Sequence, residues 1–151
     1  MEVCGSSQGG ASTVSADLNH TIVRSRHKRK SAEFLANILS LEAGPDWGPF
    51  VPVITGNGVT LDYQDVPDDH ISAQHYAFLV AEEDFDAAIA RLREAEVTYY
   101  ADPFLLEPGG VNHHDGGRGV YFVDPDGHVM ELITRPYGRE DGRPQTRPED
   151  G

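Results

Sequence analysis

The chain has 151 residues, 38% hydrophobic and 25% charged, which is enough apolar material for one folded domain and not a disordered composition. Twelve Lys and Arg stand against 25 Asp and Glu, a formal net charge of -13, and this excludes nucleic acid and anionic membrane as expected partners because phosphate binding needs a basic surface. No apolar run reaches the roughly 18 residues of a membrane span, the N-terminus carries no signal-type segment, and Cys4 has no second cysteine, so the expected setting is cytoplasmic and the expected partner a small molecule.

Residues 1–16 are small and polar, and residues 137–151 mix Gly, Pro and both charge signs; both read as disordered tails around a core of residues 17–136. Each tail carries one net negative charge, which leaves -11 of the -13 on the core. The core opens with a strand, LNHTIVR (18–24), followed by a helix over about 27–40 with Phe34, Leu35, Ile38, Leu39 and Leu41 at three- and four-residue spacing. Short strands FVPVIT (50–55) and VTLDYQ (59–64) flank Gly56-Asn57-Gly58, a hairpin turn that tolerates positive φ.

Fifty-five positions after His20 the pattern begins again. HYAFLVA (75–81) is a strand opening on His75, and a helix runs from Asp84 as N-cap to Glu96 with Phe85, Ala88, Ile89, Leu92 and Ala95 on one face. Strands VTYYA (97–101), GVYFV (119–123) and HVMELIT (128–134) follow, the last two joined by the turn Asp124-Pro125-Asp126-Gly127. Each half, about 17–66 and 73–136, reads β-α-β-β with room for one more strand. The expected architecture is an antiparallel-rich α+β domain with helices outside and a free sheet face inside.

Strand alternation sorts the faces. His20, Ile22 and Arg24 lie together; His75, Ala77 and Leu79 lie opposite the bulky Tyr76, Phe78 and Val80; Val129, Glu131 and Ile133 lie opposite Met130, Leu132 and Thr134. If the halves close around one cavity, His20, His75 and Glu131 converge, and two imidazoles with one carboxylate make an open-sided site for a divalent metal. Asp62 holds the place in the first half that Glu131 holds in the second, either as a fourth ligand or as a polar residue at a solvated rim.

The segments LNH (18–20), HYAF (75–78) and YFVDPDGHVMEL (121–132) resemble the vicinal oxygen chelate superfamily of glyoxalases, bleomycin-resistance proteins and dioxygenases. The resemblance covers about residues 17–136 and is locally similar to the fosfomycin-resistance thiol transferases. It implies two βαβββ modules forming a half-barrel around a central cavity, with His20, His75 and Glu131 as ligands of one divalent ion, Fe, Mn, Zn, Ni or Co. It also implies a homodimer. The chain departs from the thiol transferases at Ile22, where they have threonine, and in the lysine-free loop 104–117. The resemblance implies a metal-dependent enzyme acting on a small oxygen-rich substrate by lyase or isomerase, thiol-transfer or ring-cleaving dioxygenase chemistry; the alternative is a metal-free protein that sequesters a drug or metabolite.

Tyr121 and Arg118 are the candidate catalytic residues, flanking the expected cavity, with His113 and His114 of the Gly-rich loop as further substrate contacts beside Tyr121. His128, just after a turn, is expected to be exposed or to support the site. The run Arg24, Arg26, Lys28, Arg29, Lys30 opens a helix, where cations oppose the macrodipole, and reads as a solvated face ahead of an anion site.

Overall fold

A computed structural model describes residues 16–137. The first half comprises β1 (His20–Ser25), α1 (Lys28–Leu39), β2 (Phe50–Ile54) and β3 (Thr60–Asp65). The second comprises β4 (His75–Leu79), α2 (Glu82–Glu94), β5 (Tyr99–Tyr100), β6 (Gly119–Val123) and β7 (Val129–Ile133). Nearly all of the tail segments lies outside the described residues, with Ala16 and Tyr137 the exceptions. No helix among the described residues is long and apolar enough to cross a membrane.

The repeat is borne out strand by strand. β1 runs parallel to β3, and β2 pairs antiparallel with β3; β4 runs parallel to β7, and β6 pairs antiparallel with β7. The sheets have the orders β1-β3-β2 and β4-β7-β6-β5. The extra strand of the second half is β5, on the free side of β6; in the first half an isolated bridge between Ala43 and Val53 marks the same place. The Gly56–Gly58 turn forms as expected, with Gly58 at φ 83° and the Thr55–Val59 pair closing it.

The helices correct two expectations. α2 begins after Ala81, not Asp84, so Glu82, Glu83 and Asp84 fill its first turn, where carboxylates favour the positive end of the helix dipole. The helices also do more than cover the outside: each keeps an exposed face while its apolar stripe enters a shared core. Leu35 and Ile38 of α1 and Phe85, Ala88 and Leu92 of α2 share one core with Val23, Val53, Phe122, Met130 and Leu132 from both sheets. Phe34 packs on Phe122, and the Arg91 guanidinium donates to the Ile38 carbonyl, tying α2 to α1. Apolar stripes on two helices bury more surface against each other and the sheets than either module can alone. The opposite sheet faces, which carry His20 and His75, are left exposed, with Ile22, Ile54 and Leu79 open to solvent.

The turn Asp124–Gly127 joins the halves. Asp124 Oδ1 accepts from the backbone N–H of Asp126 and His128, and Gly127 takes φ 85°. Asp126 then reaches the other half: Oδ1 accepts from Arg26 N–H at 2.9 Å and Oδ2 from the Ser31 hydroxyl at 2.6 Å. With Asp65 accepting from Lys28 N–H at 2.7 Å, the α1 N-terminus gains the carboxylates that its own first turn lacks.

The basic run is therefore mostly paired. Arg26 meets Asp68 and the Pro125 carbonyl, Lys28 and Arg29 meet Asp46, and Arg24 donates to the His70 carbonyl; Lys30 alone is simply exposed. His128 is not exposed but buried. Its Nε2 donates to the Arg24 carbonyl at 2.8 Å while Nδ1 accepts from Gln74 N–H at 3.0 Å, so the ring bridges the two halves with both nitrogens paired.

Candidate metal centre

The second half assembles a compact polar site on its exposed sheet face. In the parallel pair β4–β7, His75 stands opposite Val129 and Ala77 opposite Glu131, which puts the His75 ring over the Glu131 carboxylate. His75 Nδ1 donates to the Val129 carbonyl at 3.1 Å, and Nε2 lies 2.9 Å from Glu131 Oε2. The side chain of His75 is 48% exposed and that of Glu131 only 1%. The imidazole is therefore the open side of the pair, and the carboxylate its buried floor.

Across β6, Tyr121 is the antiparallel partner of Glu131, and its ring stacks on His75 with centroids 6.0 Å apart. Tyr137 donates its hydroxyl to Glu131 Oε1, and the Tyr121 and Tyr137 hydroxyls are 3.2 Å apart. Because the single Tyr137 proton goes to the carboxylate, Tyr121 donates in turn to Tyr137. Burial, the Tyr137 hydrogen bond and the nearby Glu131 charge push the Tyr121 phenol well above its ordinary range, so it is a neutral donor.

A divalent ion fits this donor set. With Nδ1 tied to a backbone carbonyl, Nε2 presents its lone pair beside a carboxylate oxygen, the arrangement that metal-bound histidines favour. Two donors about 2.0–2.1 Å from one ion and roughly at right angles lie about 3 Å apart, close to the 2.9 Å here.

His20 stands apart from this pair. No three His, Cys, Asp or Glu side chains come together among the described residues in a way that could hold an ion. His20 Nδ1 pairs with the side chain of its neighbour Asn19 at 2.8 Å. The cavity beside it, about 340 Å³, is lined by Asn19, Trp47, Pro52, Ile54, Thr60 and Asp62, all from the first half. The register is nonetheless repeated: β1 places His20 opposite Thr60 and Ile22 opposite Asp62, so Asp62 stands to His20 as Glu131 stands to His75.

Arg118 is on the wrong side of its strand for the expected role. With Val120 and Phe122 it faces α2, where its guanidinium donates to Glu82 at 2.8 Å and Asp86 at 2.7 Å and lies 4.6 Å from the Phe85 ring centre. Residues three apart on a strand point to opposite faces, so Arg118 and Tyr121 do not share a cavity. His113 and His114 are exposed at the edge of a short turn, His114–Gly116, and no contact joins them to His75 or Glu131. Tyr137 was missed because a polar, Pro-rich stretch surrounds it; an aromatic directly after Pro136, six residues beyond Glu131, was the available signal.

Residues 17–132 match the family model of the Glyoxalase/Bleomycin resistance protein/Dioxygenase superfamily. The chain is 33% identical over 120 residues to a protein of Serratia marcescens named glutathione transferase FosA, covering 76% of this chain and 78% of that one. Among solved structures it resembles oxidase ChaP-H2 at 57% identity, with a TM-score of 0.80 over 82% of this chain and 97% of that one. Oxidase ChaP-H1 is similar at 48% identity, with a TM-score of 0.78 over 82% and 98%. The chain belongs to the glyoxalase/bleomycin resistance/dioxygenase superfamily, and these relatives are named as enzymes.

Proposed function

We propose that this member of the superfamily is a metal-dependent oxidase of a small oxygen-rich molecule, with His75 and Glu131 holding the ion and His20 of a second copy completing it. The carrying observation is the 2.9 Å approach of His75 Nε2 to Glu131 Oε2 on an exposed sheet face, with a neutral phenol beside it. The reaction class rests on the 57% identity to oxidase ChaP-H2. A divalent ion held there supplies Lewis-acid polarisation of substrate oxygens and, as iron, dioxygen chemistry.

The chain's own residues do the rest. The Val129 carbonyl fixes the His75 ring, and Glu131 contributes the neutralising charge. As substrate enters, Tyr121 turns its hydroxyl from Tyr137 to a substrate oxygen, while its ring, stacked on His75, walls the site from water. A second copy is supported by exposure: His20 lies on the equivalent exposed face of β1, and laying that face on the β4–β7 face of a partner would cover Ile22, Ile54 and Leu79 and bring a second imidazole to the pair.

The transferase relative supports a second reading, thiol addition to an epoxide. Against it, none of the strands β4 to β7 carries a Lys or Arg to receive an anionic substrate, and Arg118 is held by Glu82 and Asp86. The test is metal-loaded protein offered catechols in an oxygen electrode, and epoxides with thiols or dicarbonyls in parallel. The expected result is oxygen uptake that Glu131→Ala abolishes. Thiol consumption without oxygen uptake would assign the transferase reaction instead, and tight ligand retention without turnover or metal would make the protein a sequestering one.

A further inference from the structure

Tyr137 follows the last strand, yet the chain is held so that its hydroxyl meets Glu131. β7 is extended past Ile133 by two bonds to Arg118: Thr134 N–H to its carbonyl at 3.0 Å, and Arg118 N–H to Thr134 Oγ1 at 2.8 Å. Arg135 packs against Gly116 and Gly117, where a side chain at 117 would meet Thr134 Oγ1 at 2.7 Å and Arg135 Cβ at 3.1 Å. Pro136 then fixes φ near -65° and delivers Tyr137 back over the sheet. The loop that precedes β6 thus anchors a strap whose tip is a phenol on the buried carboxylate.

Glu131 needs that phenol. A carboxylate this deeply buried carries two oxygens, each costly to leave without a partner. Oε2 faces His75, Ala77 across the strand pair offers no donor, and of the two phenols beside the carboxylate Tyr137 is the one that donates to Oε1, with Tyr121 bonded to it and also within reach of Glu131. We propose that Tyr137 is a positioning residue for the metal centre: by occupying Glu131 Oε1 it turns Oε2 toward His75, so that the carboxylate binds the ion through one oxygen. This role rests on His75 and Glu131 being metal ligands. A tyrosine that merely covers the sheet would leave the coordination unchanged when its hydroxyl is removed.

The experiment is titration of the full-length protein with Co(II), followed by the visible d–d absorption, for wild type, Tyr137→Phe and Tyr121→Phe. Loss of an outer hydrogen bond to a metal-bound carboxylate weakens binding by about 10- to 100-fold. Tyr137→Phe should therefore raise the Co(II) Kd by that factor and alter the d–d bands as the freed Oε1 joins the coordination, with the fold retained by circular dichroism. Tyr121→Phe, which keeps the Tyr137–Glu131 bond, should lose less affinity than Tyr137→Phe. Equal affinity and spectrum in Tyr137→Phe, or an equal loss in Tyr121→Phe, would overturn the role and leave the ligand assignment standing. Failure of the wild type to bind Co(II) would overturn the ligand assignment and the role together.

Discussion

Ser31 on α1 and Asp126 in the turn before β7 are 95 residues apart in the chain and 2.6 Å apart in space. That bond, with Asp126 Oδ1 on Arg26 N–H and His128 on the Arg24 carbonyl, makes the Asp124–His128 segment the joint between the halves. Hydrogen bonds to a buried charge are worth about 1.5–3 kcal/mol each. Asp126→Ala should lower unfolding stability by roughly 2–4 kcal/mol in denaturant titrations, against almost no change for exposed Asp69→Ala.

The same carboxyl shapes the acid limb. Burial pushes Asp126 up, but the hydrogen bonds from Arg26, Ser31 and Ser25 outweigh it and hold the group below its ordinary 3.8. A depressed carboxyl contributes stability that is present above its unfolded value and lost as pH falls through its folded one. Wild-type stability should fall on acidification below about pH 4, and Asp126→Asn should flatten that slope. Asp124, raised by burial, acts in the opposite sense, so Asp124→Asn should steepen it.

Arg118 is a structural cation in this account. The Arg118 guanidinium holds the Asp86 carboxyl below its usual range, and the Thr134 hydroxyl, with Arg118, does the same for Glu82. Arg118→Ala should leave metal content and turnover at wild-type levels and give a small, salt-sensitive drop in Tm. Loss of metal in this variant would return Arg118 to the site.

In the proposed reaction Tyr121 donates to the substrate. Tyr121→Phe should retain metal by elemental analysis while turnover falls by roughly 10²-fold, the usual cost of removing one preorganised donor to a developing negative charge. An unchanged kcat would make it a wall and nothing more.

Much of this was legible in the sequence. The duplicated unit shows because each half repeats strand, helix and strands with a histidine at the same place, and His75 and Glu131 meet because alternation fixes which side of a strand a residue occupies. How two sheets stand to one another is not written in periodicity, and so His20, in phase with His75, lies beside Asp62 and Trp47 rather than Glu131. His128 and Arg118 were misplaced for the same reason: what a side chain meets 104 or 36 residues away depends on packing, not on its neighbours in the chain. The DPDGH run, the most specific motif, is chiefly the joint between halves.

The proposed two-copy site is open to a test by mixing. His20→Ala and Glu131→Ala each lack a ligand, but in a mixed dimer one of the two sites pairs intact His75 and Glu131 with an intact His20. Co-refolding the variants in equal amounts should restore metal in about one quarter of sites, whereas a site built within one chain would restore none.

His75 and Glu131 are proposed to hold a divalent ion, and metal content decides whether they do. Protein purified without added metal, then reconstituted with Fe(II), Mn(II), Zn(II), Ni(II) or Co(II), is analysed by elemental mass spectrometry beside His75→Ala and Glu131→Ala. Near-stoichiometric ion is expected in the wild type, and its loss in both folded variants. A wild type that stays metal-free after reconstitution, or variants that keep the ion, would contradict that proposal.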